Sequence, residues 1–166
     1  MTPEGSRVTS WLPVLALASV LSADPCTLVT RAEAAAILDT PITTAFPSDP
    51  EVHPLSNASV VTCMMGGGQV MMLVSVDTYA SPEAALKTMT KEFVKELAGD
   101  FEARVDTEPP GLGDRAFWLS SVGSARYYVV RGRTTLSITI AGAKLKDVDS
   151  KRDAIRALMV KALSRV

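Results

Sequence analysis

The chain has 166 residues, 47% hydrophobic and 21% charged, the makeup and length of one globular domain with its own core. A net charge of −1 with interspersed signs argues against nucleic acid or an anionic membrane surface as the main partner. One histidine and two cysteines exclude most zinc sites and any two-histidine metal motif, and 5% aromatic content is low for base stacking or a carbohydrate groove.

Residues 1–23 read as a secretory signal peptide. Arg7 gives a weak positive start, offset by Glu4, and Trp11 to Leu21 form a short apolar core interrupted by Pro13. That core falls short of the roughly 20 residues a bilayer span needs, so no stable membrane span is expected. Cleavage fits after Ala18, where Ala16-Leu17-Ala18 matches A-x-A, or after Ala23. Residues 24–166 are then a single secreted, periplasmic or cell-envelope domain. Cys26 follows Asp24-Pro25 instead of a small-residue box, so no lipidation is expected. An oxidising compartment favours a disulfide between Cys26 and Cys63, adding about 3–4 kcal/mol in the loop-entropy account.

Thr30-Arg31-Ala32-Glu33 fits a capping box and opens a short alanine-rich helix that ends at Asp39-Thr40-Pro41. Residues 42–58 have loop composition, with Pro47, Pro50 and Pro54, and room for one short edge strand. Val60 to Met65, the turn Gly66-Gly67-Gly68, and Gln69 to Asp77 read as a β-hairpin with Val70, Met72, Val74 and Val76 on one face. Ser81-Pro82-Glu83 starts a helix with the apolar stripe Ala85, Leu86, Met89, Phe93 and Leu97, stopped by Gly99. Strands follow over 102–107, 115–120, 125–131 and 134–141, with turns at Gly111, Gly123 and Gly132. A last helix from about Asp147 turns Ala154, Ile155, Leu158, Met159 and Ala162 inward. Hairpin-then-helix occurs twice. The expected class is α+β, an antiparallel sheet with helices packed on one face and a duplicated hairpin–helix unit.

Asp24-Pro25-Cys26-Thr27-Leu28-Val29-Thr30 running into Glu33, a second cysteine at Cys63, and Gly111-Leu112-Gly113-Asp114-Arg115-Ala116-Phe117-Trp118 ahead of the last strands form a set. It resembles small secreted bacterial envelope proteins classed as domains of unknown function. The resemblance covers most of residues 24–166. It implies a disulfide and a mixed α/β sheet and carries no catalytic residue across. Many members of that group are lipid-anchored, and this chain lacks their lipidation box.

Gly111 to Ala116 also matches G-x-G-x-x-A, but prolines precede it and a strand comes after it, so a tight turn feeding a sheet is expected in place of a nucleotide loop. Met64, Met65, Met71 and Met72 flank the glycine turn. Thioethers suit Cu(I), yet strand alternation splits each pair, and core filling is the expected role. Arg126, Arg131 and Arg133 read as a solvated strand edge, and Asp106, Glu108 and Asp114 as solvated acids around a turn. Asn57-Ala58-Ser59 matches a glycosylation sequon, which in a bacterial chain reads as chance. No G-x-S-x-G elbow or paired-carboxylate site is visible and His53 lies in a proline-rich loop, so no catalytic, cofactor-binding or metal residue is assigned and no cofactor is expected.

The reading is a non-enzymatic secreted domain that binds a protein or envelope component through the open sheet face and the loop from Thr43 to Ser59. The competing readings are a small-ligand or metal carrier on the Met-rich hairpin, and a hydrolase with an unrecognised site. An exposed methionine cluster favours the first, a pocket joining His53 to an acid the second, and a flat apolar patch the binding module.

Overall fold

A computed structural model describes residues 24–99 and 102–166. The leader and both cleavage points lie outside the described residues. The elements are α1 (Pro25–Leu28), α2 (Arg31–Leu38), β1 (Thr44–Pro47), β2 (Glu51–Val52), β3 (Ser59–Gly67), β4 (Val70–Thr78), α3 (Pro82–Thr88), α4 (Lys91–Ala98), β5 (Arg104–Thr107), β6 (Arg115–Ser121), β7 (Ser124–Arg131), β8 (Thr134–Gly142) and α5 (Arg152–Leu163). A 3-10 turn over Asp149–Lys151 leads into α5. The protein is α+β, built on one antiparallel sheet in the order β1-β3-β4-β8-β7-β6-β5, with β2 also pairing β3.

Strand alternation gives this sheet two distinct faces. On the first, Cys63, Met65, Met72, Val74, Trp118, Tyr127 and Ile138 form the main core with residues of α1, α2 and α5. On the second, Phe117, Leu119, Tyr128 and Val130 form a smaller core with Ala85, Met89 and Val94 of α3 and α4. The expectation of helices on one face therefore holds for α1, α2 and α5, while α3 and α4 cover the other side. Both hairpins share the sheet, with β4 beside β8, but the helices that come after them lie on opposite faces.

Local chemistry accounts for most boundaries. Asp24 caps α1 by accepting the Cys26 N–H at 2.9 Å, with Pro25 at the first position. The Thr30–Glu33 capping box forms in both directions. Arg165, near the chain's end, bonds both Glu33 carboxylate oxygens and the Leu28 carbonyl, and its guanidinium holds the Glu33 carboxyl down at about 2. The long helix expected from Ser81 to Gly99 is instead two, α3 and α4. Thr90 caps the second through the Phe93 N–H, and Arg115 of β6 donates to the Leu86 and Met89 carbonyls freed at the end of the first. Residues 42–58 hold two short strands, not one. In α5, Ile155, Leu158, Met159 and Ala162 are buried as expected, and Ala154 is exposed.

The disulfide joins Cys26 of α1 to Cys63 of β3. Gly113 sits at φ 70, and a Cβ there would lie 2.4 Å from the Val130 carbonyl oxygen, so only glycine fits. Asp114 accepts the Gly132 N–H at 2.7 Å, pinning this turn to the β7–β8 turn. The chain then enters β6, not a helix, as the tight-turn reading requires.

Candidate functional site

The outer part of the second face is the candidate site. The register places Phe46, Met64, Leu73, Thr139 and Arg126 in one row across β1, β3, β4, β8 and β7. Thr62, Ser75, Ser137 and Tyr128 form the next row, and Val60, Asp77, Thr135 and Val130 the one beyond. α3 and α4 pack over the Tyr128, Val130 and Phe117 side and α3 also meets β8, whereas Phe46, Met64, Leu73 and Met71 belong to neither core. Phe46 is 51% exposed and Met71 39% exposed, with Met64 and Leu73 half-buried between them. Val52 of β2 and Leu55 in the turn after it are also exposed.

The polar groups of this face are unevenly paired. Thr62 and Ser75 share a hydrogen bond of 3.0 Å. Arg126 donates from Nε to the Thr139 hydroxyl and from Nη1 to the Tyr128 hydroxyl at 2.7 Å, and stacks 5.4 Å from the Tyr128 ring centroid. Among the described residues, Arg126 makes no ion pair, and no hydrogen bond or ion pair reaches the Asp77 carboxylate. Burial pushes the Asp77 carboxyl up to about 6, against the opposing pull of Arg126. Tyr79, 4% exposed, and Thr135, fully buried, bring their hydroxyls together beneath this row, sealed from solvent. Burial and then the Asp77 charge push the Tyr79 phenol up to about 12, although the Thr135 and Ser56 hydroxyls beside it act the other way.

This cluster works against the fold at neutral pH. The folded state holds the Asp77 proton more tightly than the unfolded chain does, so stability is highest below about pH 3.8 and falls as pH rises to about 6. Asp77→Asn is expected to be more stable than the parent by about 1–3 kcal/mol at pH 7.5 and equal to it near pH 3.5. Urea midpoints at the two pH values measure this; a parent and variant that run parallel across the range would contradict it.

The residues singled out from the sequence fall elsewhere or play other parts. Met65 and Met72 face each other in the main core, and only Met64 and Met71 reach the second face. His53 accepts the Leu55 N–H on Nδ1 at 3.3 Å, and its backbone bonds stay within the turn 53–58. No group of three or more His, Cys, Asp or Glu among the described residues is placed to hold a metal ion. The arginine cluster is not an edge: β7 is flanked by β6 and β8, Arg126 is half-buried, and Arg131 donates to the Leu163 carbonyl at 3.1 Å. Glu108 is not solvated either. Its side chain is 5% exposed and receives Arg152 through Nε and Nη2, while Arg152 Nη1 bonds Asp106 at 2.9 Å. Asp77 belongs to no motif, though Val74-Ser75-Val76-Asp77 and Thr135-Leu136-Ser137-Ile138-Thr139 alternate apolar and polar and so mark a polar second face on two central strands.

No helix among the described residues is long and apolar enough to cross a membrane. No family model matches the chain, and no curated protein matches it. Among solved structures, the extracellular domain of PknH from Mycobacterium tuberculosis is similar, with a TM-score of 0.49 and 10% sequence identity over 84% of this chain and 92% of that chain.

Proposed function

We propose that this chain is a secreted, non-enzymatic domain of the bacterial envelope that binds a protein or envelope component through the uncovered part of its second sheet face. The observation that carries the reading is the patch of Phe46, Met64, Leu73 and Met71, apolar side chains on the second face that belong to neither core. Hydroxyls and a charge border it, at Thr62, Ser75, Thr139 and Arg126, and an apolar centre with a polar rim is the anatomy of a protein interface. The leader-like residues 1–23, the disulfide and the resemblance to small secreted envelope proteins support the compartment. Against the hydrolase stands His53, whose partners all belong to its own turn.

Photo-crosslinking amino acids at Phe46 and Met71, with Val160 on α5 as an exposed control, test the proposal in cells that secrete the chain. The expected result is a discrete adduct from Phe46 and Met71 that Val160 does not give. Equal labelling from all three positions, or none from the sheet face, would remove this face as the binding surface.

A further inference from the structure

We infer that the cleft between the end of α2 and the loop from β8 to α5 binds a small phosphate ester, free in solution or as the head of an envelope lipid. The cleft lies against the main core, on the side of the first face, and takes no part in the second-face binding proposed above.

Its volume is about 360 Å3, within the range of small-molecule sites. Leu38 and Val70, both buried, and Leu145, half-buried against the main core, give it an apolar floor. Lys144 and Lys146 flank Leu145 in sequence and are both exposed, which sets two ammoniums at the rim. Among the described residues, neither lysine makes an ion pair or a side-chain hydrogen bond. The two acids of the cleft are already engaged. Asp39 takes the Lys151 ammonium, and Asp147 accepts the Ser150 N–H at 3.2 Å. Asp39 and Lys151 cancel, and Lys144 with Lys146 outweighs Asp147, so the concavity keeps a net positive charge. A concave wall of one sign concentrates counter-ions more than the same charges on a convex surface.

The charges and the floor together select the ligand. Two compact ammoniums on flexible stems act as point charges and suit the tetrahedral oxygens of a phosphate, whereas a planar carboxylate is matched by a guanidinium fork. A phosphate ester carries about two negative charges at pH 7.5, one for each free lysine. Leu38, Val70 and Leu145 cover the carbon skeleton, which sets an ester apart from inorganic phosphate.

The test titrates n-butyl phosphate into the full chain at pH 7.5, with inorganic phosphate and n-butanol as head-only and tail-only controls, followed by amide chemical shifts. The expected result is saturable shifts at Val70, Leu145 and Ser150, with the ester bound about tenfold tighter than either control. Lys144→Gln with Lys146→Gln changes exposed side chains only, which leaves stability nearly unaltered, and should bring the ester down to the level of the alcohol. Lys87→Gln with Lys91→Gln removes the same charge from exposed positions on α3 and α4, and should leave binding as it is in the parent. Flotation with phosphatidylcholine vesicles, with and without phosphatidic acid, distinguishes the sources. Capture that needs both phosphatidic acid and the Lys144–Lys146 pair assigns the ester to a lipid head, and no capture beside binding of butyl phosphate assigns it to a soluble molecule. Absence of saturable shifts at the three residues, an ester bound no better than inorganic phosphate or butanol, or equal losses in the two lysine pairs would overturn the inference.

Discussion

Removing the Cys26–Cys63 bond is expected to lower the stability of the protein by about 3–4 kcal/mol. The bond closes a loop 37 residues long in sequence and ties α1 to the core strand β3. α1 has only four residues, too few to be a stable helix in isolation. It is held by the disulfide, the burial of Leu28 and Val29, and the bond from Arg165 to the Leu28 carbonyl. Denaturant midpoints of the parent with and without reductant, beside a Cys26→Ala/Cys63→Ala variant, measure the effect. The variant should match the reduced parent and ignore reductant. A reduced parent as stable as the oxidised one would show that packing of α1 alone suffices.

Glu108→Ala is expected to cost a similar amount, about 3–5 kcal/mol, for a different reason. The Glu108 carboxylate is nearly sealed from solvent, and Arg152 reaches it from the start of α5, with Arg156 3.8 Å away. Arg152 also lies 5.7 Å from the Trp118 ring centroid, and Trp118 donates from its indole nitrogen to Asp149 at 2.8 Å. The network joins the end of β5 to the entry of α5. Deleting the acid leaves a half-buried guanidinium with only Asp106 to answer it. Replacing both members, as Glu108→Leu with Arg152→Met, should recover much of the loss, because the sealed carboxylate and its guanidinium leave together, Asp106 keeps Arg104, and Arg156 is open to water. A large loss in the double variant, or a negligible one in Glu108→Ala, would refute this account. Added salt gives a second check: it should weaken the exposed Arg104–Asp106 pair and leave the Glu108 contribution nearly intact.

The elements that could be read in the sequence are those whose cause is local. The capping box at Thr30, the serine–proline start at Ser81, the glycine turns and the strict alternation of Val70, Met72, Val74 and Val76 each lie within a few residues. The features that escaped depend on residues far away in the chain. Glu108 looks like a turn acid until Arg152, 44 residues on, closes over it. The helix after Ser81 looks continuous until Arg115 supplies donors at the break. Three arginines on the β7–β8 hairpin imitate an edge, because charge discourages pairing there, yet β7 is interior and Arg126 is held by hydroxyls of its own sheet. The candidate site was legible as a region and not as chemistry. The open face and the loop to Ser59 could be named, but Asp77 gains its meaning only from what surrounds it in three dimensions.

The clasp of Arg165 on Glu33 and Leu28 brings the two ends of the described domain together behind the sheet, on the side of α1, α2 and α5. The molecule therefore has a back and a front. Any support, tag or fusion partner joined at Val166 attaches to the back, and the face with Phe46 and Asp77 is displayed away from it. A chip or bead that captures the chain by this end presents the candidate face outward, whereas capture through an engineered cysteine at Phe46 or Met71 would bury it.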